Sequence, residues 1–233
     1  MADFFLFRQT SDTSWPWPKK AVYYGYRTAL LFCAGFCMGL VLLVPASGPY
    51  SKELILSYLT HWETLLLNTL PVALLTVLLY GMIGIAWPSF LAASSAFFAL
   101  SLGNYYKLQF RSDPVYFEDL FNLREATNMA GSGHYSLFIT KKILLPAFCL
   151  ILGTVLLRLL APGKKRCLPT SAVTVAVTAC LVPLYVNQGI YDGLENFDYV
   201  KRCNPSENYI SHGFLYPFFH SAAELIDFTP TGY

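Results

Sequence analysis

The chain has 233 residues, of which 55% are hydrophobic and 13% charged, and its formal net charge is +2. Soluble domains carry roughly 25% charged residues, so this composition excludes an ordinary soluble domain and indicates a membrane protein. The small net charge and the short basic clusters at segment ends do not indicate nucleic-acid binding.

Uncharged windows predict five membrane crossings. At about 1.5 Å per helical residue, the uncharged run over 64–106 would measure roughly 65 Å, which is too long for one crossing of a hydrocarbon layer about 30 Å thick. We expect it to turn back within 81–88, where two glycines, Trp87 and Pro88 interrupt the helix. The predicted helices cover about 28–44, 65–83, 89–105, 143–160 and 171–187.

The fold class that follows is an all-α integral membrane protein with five transmembrane helices. Basic residues of short loops accumulate in the cytoplasm. Lysines and arginines lie in the N-terminal segment 1–27 and again at 164–166, so we expect both segments to be cytoplasmic. All acidic residues except Asp3 and Asp12 then fall in extracytoplasmic segments, and 188–233 is extracytoplasmic. Loss of the first hydrophobic segment as a cleaved signal peptide is an alternative that leaves the later orientation unchanged.

The outer loop over 104–142 predicts an amphipathic helix on the membrane surface. Asp113 would be its N-cap and Pro114 its first helical residue. One arc of this helix collects the polar residues Glu118, Asp119, Asn122 and Glu125, and the other collects the apolar residues Tyr116, Phe117, Leu120, Phe121 and Leu123. The helix would end near 131–133 and lie in the interface.

Several charged residues around this loop are candidates for contact with a lipid headgroup. An arginine fork matches phosphate geometry, and lysine supplies a point charge. Simple anchoring at the interface is the alternative, since basic residues flank membrane helices in any case. The cations concerned are Lys107, Arg111, Arg124, Lys141 and Lys142.

The segment after the last predicted helix contains two histidines and a glutamate that raise the question of a metal site. His220 and Glu224 would share a helix face, with His212 nearby in sequence. There is no His-Glu-x-x-His pattern and no cysteine pair, so no metal site is predicted. Pro217 and the many aromatic residues favour a segment that rests on the bilayer.

Two stretches of the sequence resemble a known family. The outer loop carries Asn-Tyr-Tyr-Lys107-x-x-x-Arg111-x-x-Pro114-x-x-x-x-Asp119-Leu, and the post-membrane stretch carries Gly213-Phe-Leu-Tyr-Pro-Phe. Together with five helices, these resemble the membrane half of lipoteichoic acid synthase-like proteins. These are bacterial phosphoglycerol transferases of the alkaline phosphatase and sulfatase superfamily.

The resemblance implies that catalysis belongs to an extracytoplasmic α/β domain that follows the fifth helix. In the family, a threonine nucleophile beside a divalent metal, typically manganese, takes glycerol phosphate from phosphatidylglycerol. No stretch of this chain matches that nucleophile or its metal ligands. We therefore expect a truncated chain that lacks its catalytic domain and needs no cofactor of its own; a protein that works without the catalytic half is the alternative.

The resulting prediction is a membrane anchor and lipid-proximal module in a bacterial cell membrane, with membrane lipids and its own catalytic domain as partners. By resemblance, Lys107, Arg111 and Asp119 would contact a lipid headgroup or dock that domain. The alternatives are a small transporter or flippase-like subunit and a protein that recruits envelope enzymes. The transporter interpretation expects ionisable residues inside the bundle, and the uncharged windows 28–44, 64–106, 143–157 and 171–187 show only neutral polar ones such as Asn68, Ser94 and Ser95.

Overall fold

The computed structural model describes residues 17–46, 60–122, 139–164, 168–187, 190–191 and 212–226, without the side chains of 17–20, 168 and 223–226. Every regular element in this part of the chain is helical. The α-helices are α1 (Trp17–Ala46), α2 (Trp62–Ile83), α3 (Ala86–Arg111), α4 (Lys141–Leu160), α5 (Leu168–Val186) and α6 (Leu215–Ile226), and a 3₁₀ helix covers Phe117–Leu120.

Helices α1 to α5 are each long and apolar enough to cross a membrane, which indicates a multi-pass membrane protein. This confirms the predicted helical class and the count of five. Helices α1 and α3 run beyond their predicted windows, which were bounded by charged residues. Backbone hydrogen bonding continues through Arg27 in α1 and through Lys107 in α3.

The predicted turn inside the long apolar run lies at Gly84 and Ile85. Gly84 adopts φ 79°, and its N–H donates to the carbonyl of Tyr80 over 2.7 Å, which closes the end of α2. Glycine suits this left-handed position because it has no Cβ. Pro88 falls in the first turn of α3, where its missing N–H leaves no helical bond unmade.

Helices α1, α2 and α3 pack against one another and form the centre of the bundle. A Cβ on Gly35 would lie 2.7 Å from Cα of Ala73, and one on Gly39 would lie 2.8 Å from Cα of Thr69. These two glycines therefore allow the backbones of α1 and α2 to approach closely, as small residues do between membrane helices.

The two later helices are added at the outside of this centre. Helix α4 packs on α1 and α3, and Gly153 meets the ring of Phe90. Helix α5 packs on α2, where a side chain on Gly81 would collide with Ser171.

The bundle has two ends. We call the end at which α1 begins the near end and the opposite end the far end. At the near end α1 begins, α2 passes into α3, and α4 passes into α5. At the far end lie the last turn of α1, the start of α2, the 3₁₀ helix and α6. Cross-helix hydrogen bonds agree with this antiparallel order, since Arg27 meets the loop after α4 at the near end and Asn104 meets Ala46 at the far end.

The loop after α3 differs from the predicted amphipathic helix. Residues 113–116 are not helical, and the 3₁₀ helix begins only after Tyr116. The predicted N-cap role of Asp113 is therefore wrong, because its carboxylate is engaged by Lys107 instead. The carboxylate of Asp119 accepts from the Tyr116 N–H over 2.7 Å and supports the start of the short helix. Residues 123–138, with Arg124 and Glu125, lie outside the described part of the chain.

The sequence predicted that the post-membrane segment rests on the bilayer. In the structure it packs on protein at the far end instead. Helix α6 contacts α2, α5 and the 3₁₀ helix. Of residues 212–221 only Phe219 is not fully buried.

Candidate functional site

The far end of the bundle is organised by one buried amide, that of Asn68 in α2. Its Nδ2 donates to the carbonyls of Thr64 (2.7 Å) and His212 (2.9 Å). Its Oδ1 accepts from the N–H groups of Phe214 (2.8 Å) and Tyr216 (3.1 Å). Asn68 is 0% exposed, and these four bonds use all the hydrogen-bonding capacity of an amide. The segment leading into α6 is thus fixed to α2 through its own backbone.

Gly213 makes this contact possible. Its φ is +98°, a conformation that side-chain-bearing residues rarely adopt, and a Cβ there would overlap the Asn68 amide. The Gly213-Phe-Leu-Tyr-Pro-Phe stretch singled out in the sequence therefore begins with a residue required for docking.

Helix α6 is also bound to the loop after α3. The N–H of Phe117 donates to Oγ of Ser221 over 3.0 Å, and Ser221 itself donates to the carbonyl of Phe218. The Phe117 and Phe218 rings lie 5.6 Å apart. The 3₁₀ helix and α6 thus form a single surface unit over the far end.

Two buried histidines flank one tyrosine at the α5 side of this unit. The Tyr191 ring stacks on His212 (centroids 4.5 Å apart) and on His220 (4.0 Å). Nδ1 of His220 lies 2.8 Å from the carbonyl oxygen of Tyr185, so it carries the proton of that hydrogen bond. Because Tyr191 stacks on both imidazoles, we interpret the histidines as packing and hydrogen-bonding groups. Among the residues described, no group of three metal-ligating side chains occurs.

Lys107 is bound within the protein and does not present its charge outward. Its Nζ lies 2.8 Å from carboxylate oxygens of both Asp113 and Asp119, and it donates to the carbonyl of Pro114 over 2.8 Å. It also lies over the Tyr116 ring. Lys107 and Asp119, which the sequence proposed for a lipid headgroup or a docking domain, are thus brought together as an internal clamp for the loop.

Asn104 links this loop to the first helix. Its Nδ2 donates to the carbonyl of Ala46 over 3.1 Å, and its Oδ1 accepts from the Val115 N–H over 2.9 Å. Ser101 donates similarly to the carbonyl of Leu42. The end of α1, the end of α3 and the following loop are therefore held as one block.

The remaining predicted site residues lie at helix ends on the same side of the bundle. Arg111 is exposed in the last turn of α3, and Lys141 and Lys142 begin α4. Among the predicted site residues that the structure describes, Lys107 and Asp119 are brought together. Sequence reasoning missed Asn68, Ser221 and Tyr191; the signal available for Asn68 was a lone carboxamide in the first part of a long apolar run.

The near end carries a second polar centre, Arg27, which lies inside α1 rather than before it. Its side chain is 1% exposed and donates to the carbonyls of Ala161 (2.7 Å) and Gly163 (3.1 Å). It also donates to the Tyr23 hydroxyl and lies over the Tyr80 ring. A cation is favourable at this place because the C-terminus of α4 carries partial negative charge. The expectation that the spanning helices contain no ionisable side chain is therefore wrong, since Arg27 and Arg158 both lie within them.

Comparison with known proteins adds no relative: no protein-family model matches the chain, and no curated protein or solved structure matches it significantly. The resemblance to lipoteichoic acid synthase-like proteins thus stays a prediction from the sequence.

Proposed function

We propose that this chain is the membrane anchor and lipid-proximal module of a lipoteichoic acid synthase-like phosphoglycerol transferase or sulfatase-family protein in a bacterial cell membrane. The observation that carries the proposal is the fixed seat of the segment 212–222 on the far end of the bundle. A domain that follows this segment would be held at a defined place above the membrane surface, where phospholipid headgroups are its substrates.

The polar contacts favour an anchor over a transporter. Thr69, Thr76 and Ser89 are buried, and each hydroxyl donates to the carbonyl four residues earlier in the chain. Hydroxyls with such local hydrogen bonds do not form a continuous polar path along which a solute could move. The buried cation Arg27 binds carbonyls at the near end, away from the middle of the bundle.

The charges of the two ends support the proposed orientation. At the near end the described charged side chains are Arg27, Arg158 and Lys164, with no carboxylate among the described residues there, as expected for a cytoplasmic end. The described carboxylates, Glu63, Asp113, Glu118 and Asp119, all lie at the far end. We propose that the far end is extracytoplasmic and that phosphatidylglycerol and the catalytic domain are the partners there. A divalent metal such as manganese would belong to that domain.

The test uses the product of the complete gene, reconstituted in vesicles that contain labelled phosphatidylglycerol. Replacing Arg111 with alanine removes an exposed cation at the end of α3. We expect lipid turnover to fall roughly ten- to a hundredfold, since hydrogen bonds to charged groups contribute about 1.5–3 kcal/mol, with membrane insertion unchanged. Gln109→Ala, an exposed neutral change two residues earlier in α3, is the matched control and should retain turnover.

Two results would contradict the proposal at different points. Equal turnover in the Arg111 and Gln109 variants removes the headgroup role of Arg111. A complete gene with no metal-binding α/β domain removes the enzyme-anchor proposal and leaves a protein that recruits envelope enzymes.

A further inference from the structure

The outward-facing seam between α3 and α4 at the near end combines an arginine, an indole ring and an apolar stripe. Arg158 is exposed in the last turn of α4, and its guanidinium carbon lies 5.9 Å from the centre of the Trp87 ring of α3. Tryptophan is typical of the headgroup level of a membrane, and a guanidinium stacked on it keeps its donors at the ring edge.

An exposed apolar stripe leads along α4 to this arginine. Phe148, Ile151 and Val155 are 63%, 65% and 49% exposed, and at 100° per residue they share one face with Arg158. In a membrane this stripe lies against acyl chains, and the guanidinium lies where the headgroup of the same lipid would be.

Charge decides which lipid fits. No carboxylate lies within salt-bridge distance of Arg158 among the residues described, whereas Lys107 at the far end is neutralised by two carboxylates. The buried guanidinium of Arg27, bound to the loop that follows α4, adds positive potential at this end. A guanidinium binds a phosphate oxygen pair in a fork, and basic pockets between membrane helices select anionic lipids.

We propose that Arg158 and Trp87 bind the phosphate of an anionic phospholipid in the near-end leaflet, with its acyl chain along the Phe148–Ile151–Val155 stripe. The site is separate from the far-end substrate region and would anchor and orient the bundle in its leaflet. It rests on the membrane insertion assumed in the proposed function, but not on any enzymatic activity.

Trp87 itself provides the probe. The full chain with Trp15, Trp17 and Trp62 replaced by phenylalanine has Trp87 as its sole indole, and brominated lipids quench an indole that they contact. Two vesicle mixtures of phosphatidylglycerol and phosphatidylcholine are compared, one with bromine on the phosphatidylglycerol and one with bromine on the phosphatidylcholine. The ratio of Trp87 quenching in the two mixtures reports which lipid lies at the seam. We expect about fivefold enrichment of the anionic lipid, corresponding to roughly 1 kcal/mol for one cation near the surface.

Arg158→Gln should reduce the enrichment to about one, and Arg158→Lys should retain part of it because the charge remains without the fork. Leu159→Gln, which introduces the same amide on the next exposed residue, should keep the wild-type value. Glycerol 3-phosphate added in solution should not compete, since it lacks the acyl chain that the stripe holds.

Equal quenching by both lipids in the wild-type chain, or the same loss in the Leu159 and Arg158 variants, would overturn the site. Competition by soluble glycerol 3-phosphate would identify a free phosphate compound as the ligand and overturn the lipid assignment. A chain that inserts but shows no lipid preference refutes only this inference, whereas a chain that does not enter vesicles refutes the proposed function as well.

Discussion

At the scale of single residues, Asn68 is the side chain on which the far end depends most. It is buried and binds the backbone of another segment through one amide hydrogen and its carbonyl oxygen, while the second amide hydrogen goes to the Thr64 carbonyl of its own helix. Removal leaves the N–H groups of Phe214 and Tyr216 buried without this acceptor. Each such group is unfavourable by about 1–3 kcal/mol, so the segment should separate from α2 before the bundle itself unfolds.

We therefore predict that Asn68→Ala increases hydrogen exchange at the Phe214 and Tyr216 amides by at least about tenfold while exchange within α1 to α3 stays slow. Gly213→Ala should have the same effect, because alanine disfavours the positive φ at this position and its Cβ would overlap the Asn68 amide. Thr76→Ala is the control, since the Thr76 hydroxyl bonds only within α2. Unchanged protection of Phe214 in both variants would show that docking does not depend on this amide.

At the scale of elements, the loop between α3 and the 3₁₀ helix is shaped by one lysine shared between two carboxylates. Lys107 brings Asp113 and Asp119 to its ammonium group, and Asp119 in turn holds the Tyr116 N–H. The short helix therefore depends on a charge in the last part of α3, which explains why Asp113 does not cap a helix of its own.

Replacing Lys107 with methionine should open this loop, because the stem is retained while two neighbouring carboxylates lose their common cation. We expect faster hydrogen exchange at Tyr116, and partial recovery when Asp113→Asn is added to relieve the repulsion. Lys141→Met, a change of the same type at the exposed start of α4, should leave Tyr116 protected. Equal exchange in the Lys107 and Lys141 variants would contradict the clamp.

The distribution of small residues explains how the elements pack. Gly35 and Gly39 allow α1 to contact α2 at backbone distance, Gly81 leaves room for Ser171 of α5, and Gly153 leaves room for the Phe90 ring of α3. The predicted helices required only hydropathy, but which faces meet is decided by these positions, because in lipid close packing rather than hydrophobicity drives helix association.

At the scale of the whole molecule, the two ends differ in charge, and this gives a prediction for topology. In a chain whose native cysteines are replaced by serine, Glu118→Cys at the far end should react with a membrane-impermeant thiol reagent on intact cells. Lys164→Cys at the near end should react only after the cells are permeabilised, since basic ends stay in the cytoplasm. The reverse pattern would place the far end inside and remove the proposed extracytoplasmic role.

The helical class, the count of five helices long and apolar enough to span a membrane, and a turn within 81–88 could all be predicted from the sequence. These follow from local quantities, namely the length of apolar runs, the charges that bound them and the freedom of glycine at positive φ. Hydropathy also placed Arg27 outside α1, and this was wrong because a buried guanidinium is accommodated by carbonyls from a loop 134 residues later in the chain.

The roles of Asn68, Lys107 and the segment 212–222 become visible in the folded chain. Asn68 and its partners are separated by 144–148 residues, and no local pattern in the sequence links them. The same holds for Ser221, which accepts a bond from a residue 104 positions earlier. Buried hydrogen bonds of this kind depend on which surfaces meet once the helices pack, and that arrangement is a property of the whole fold.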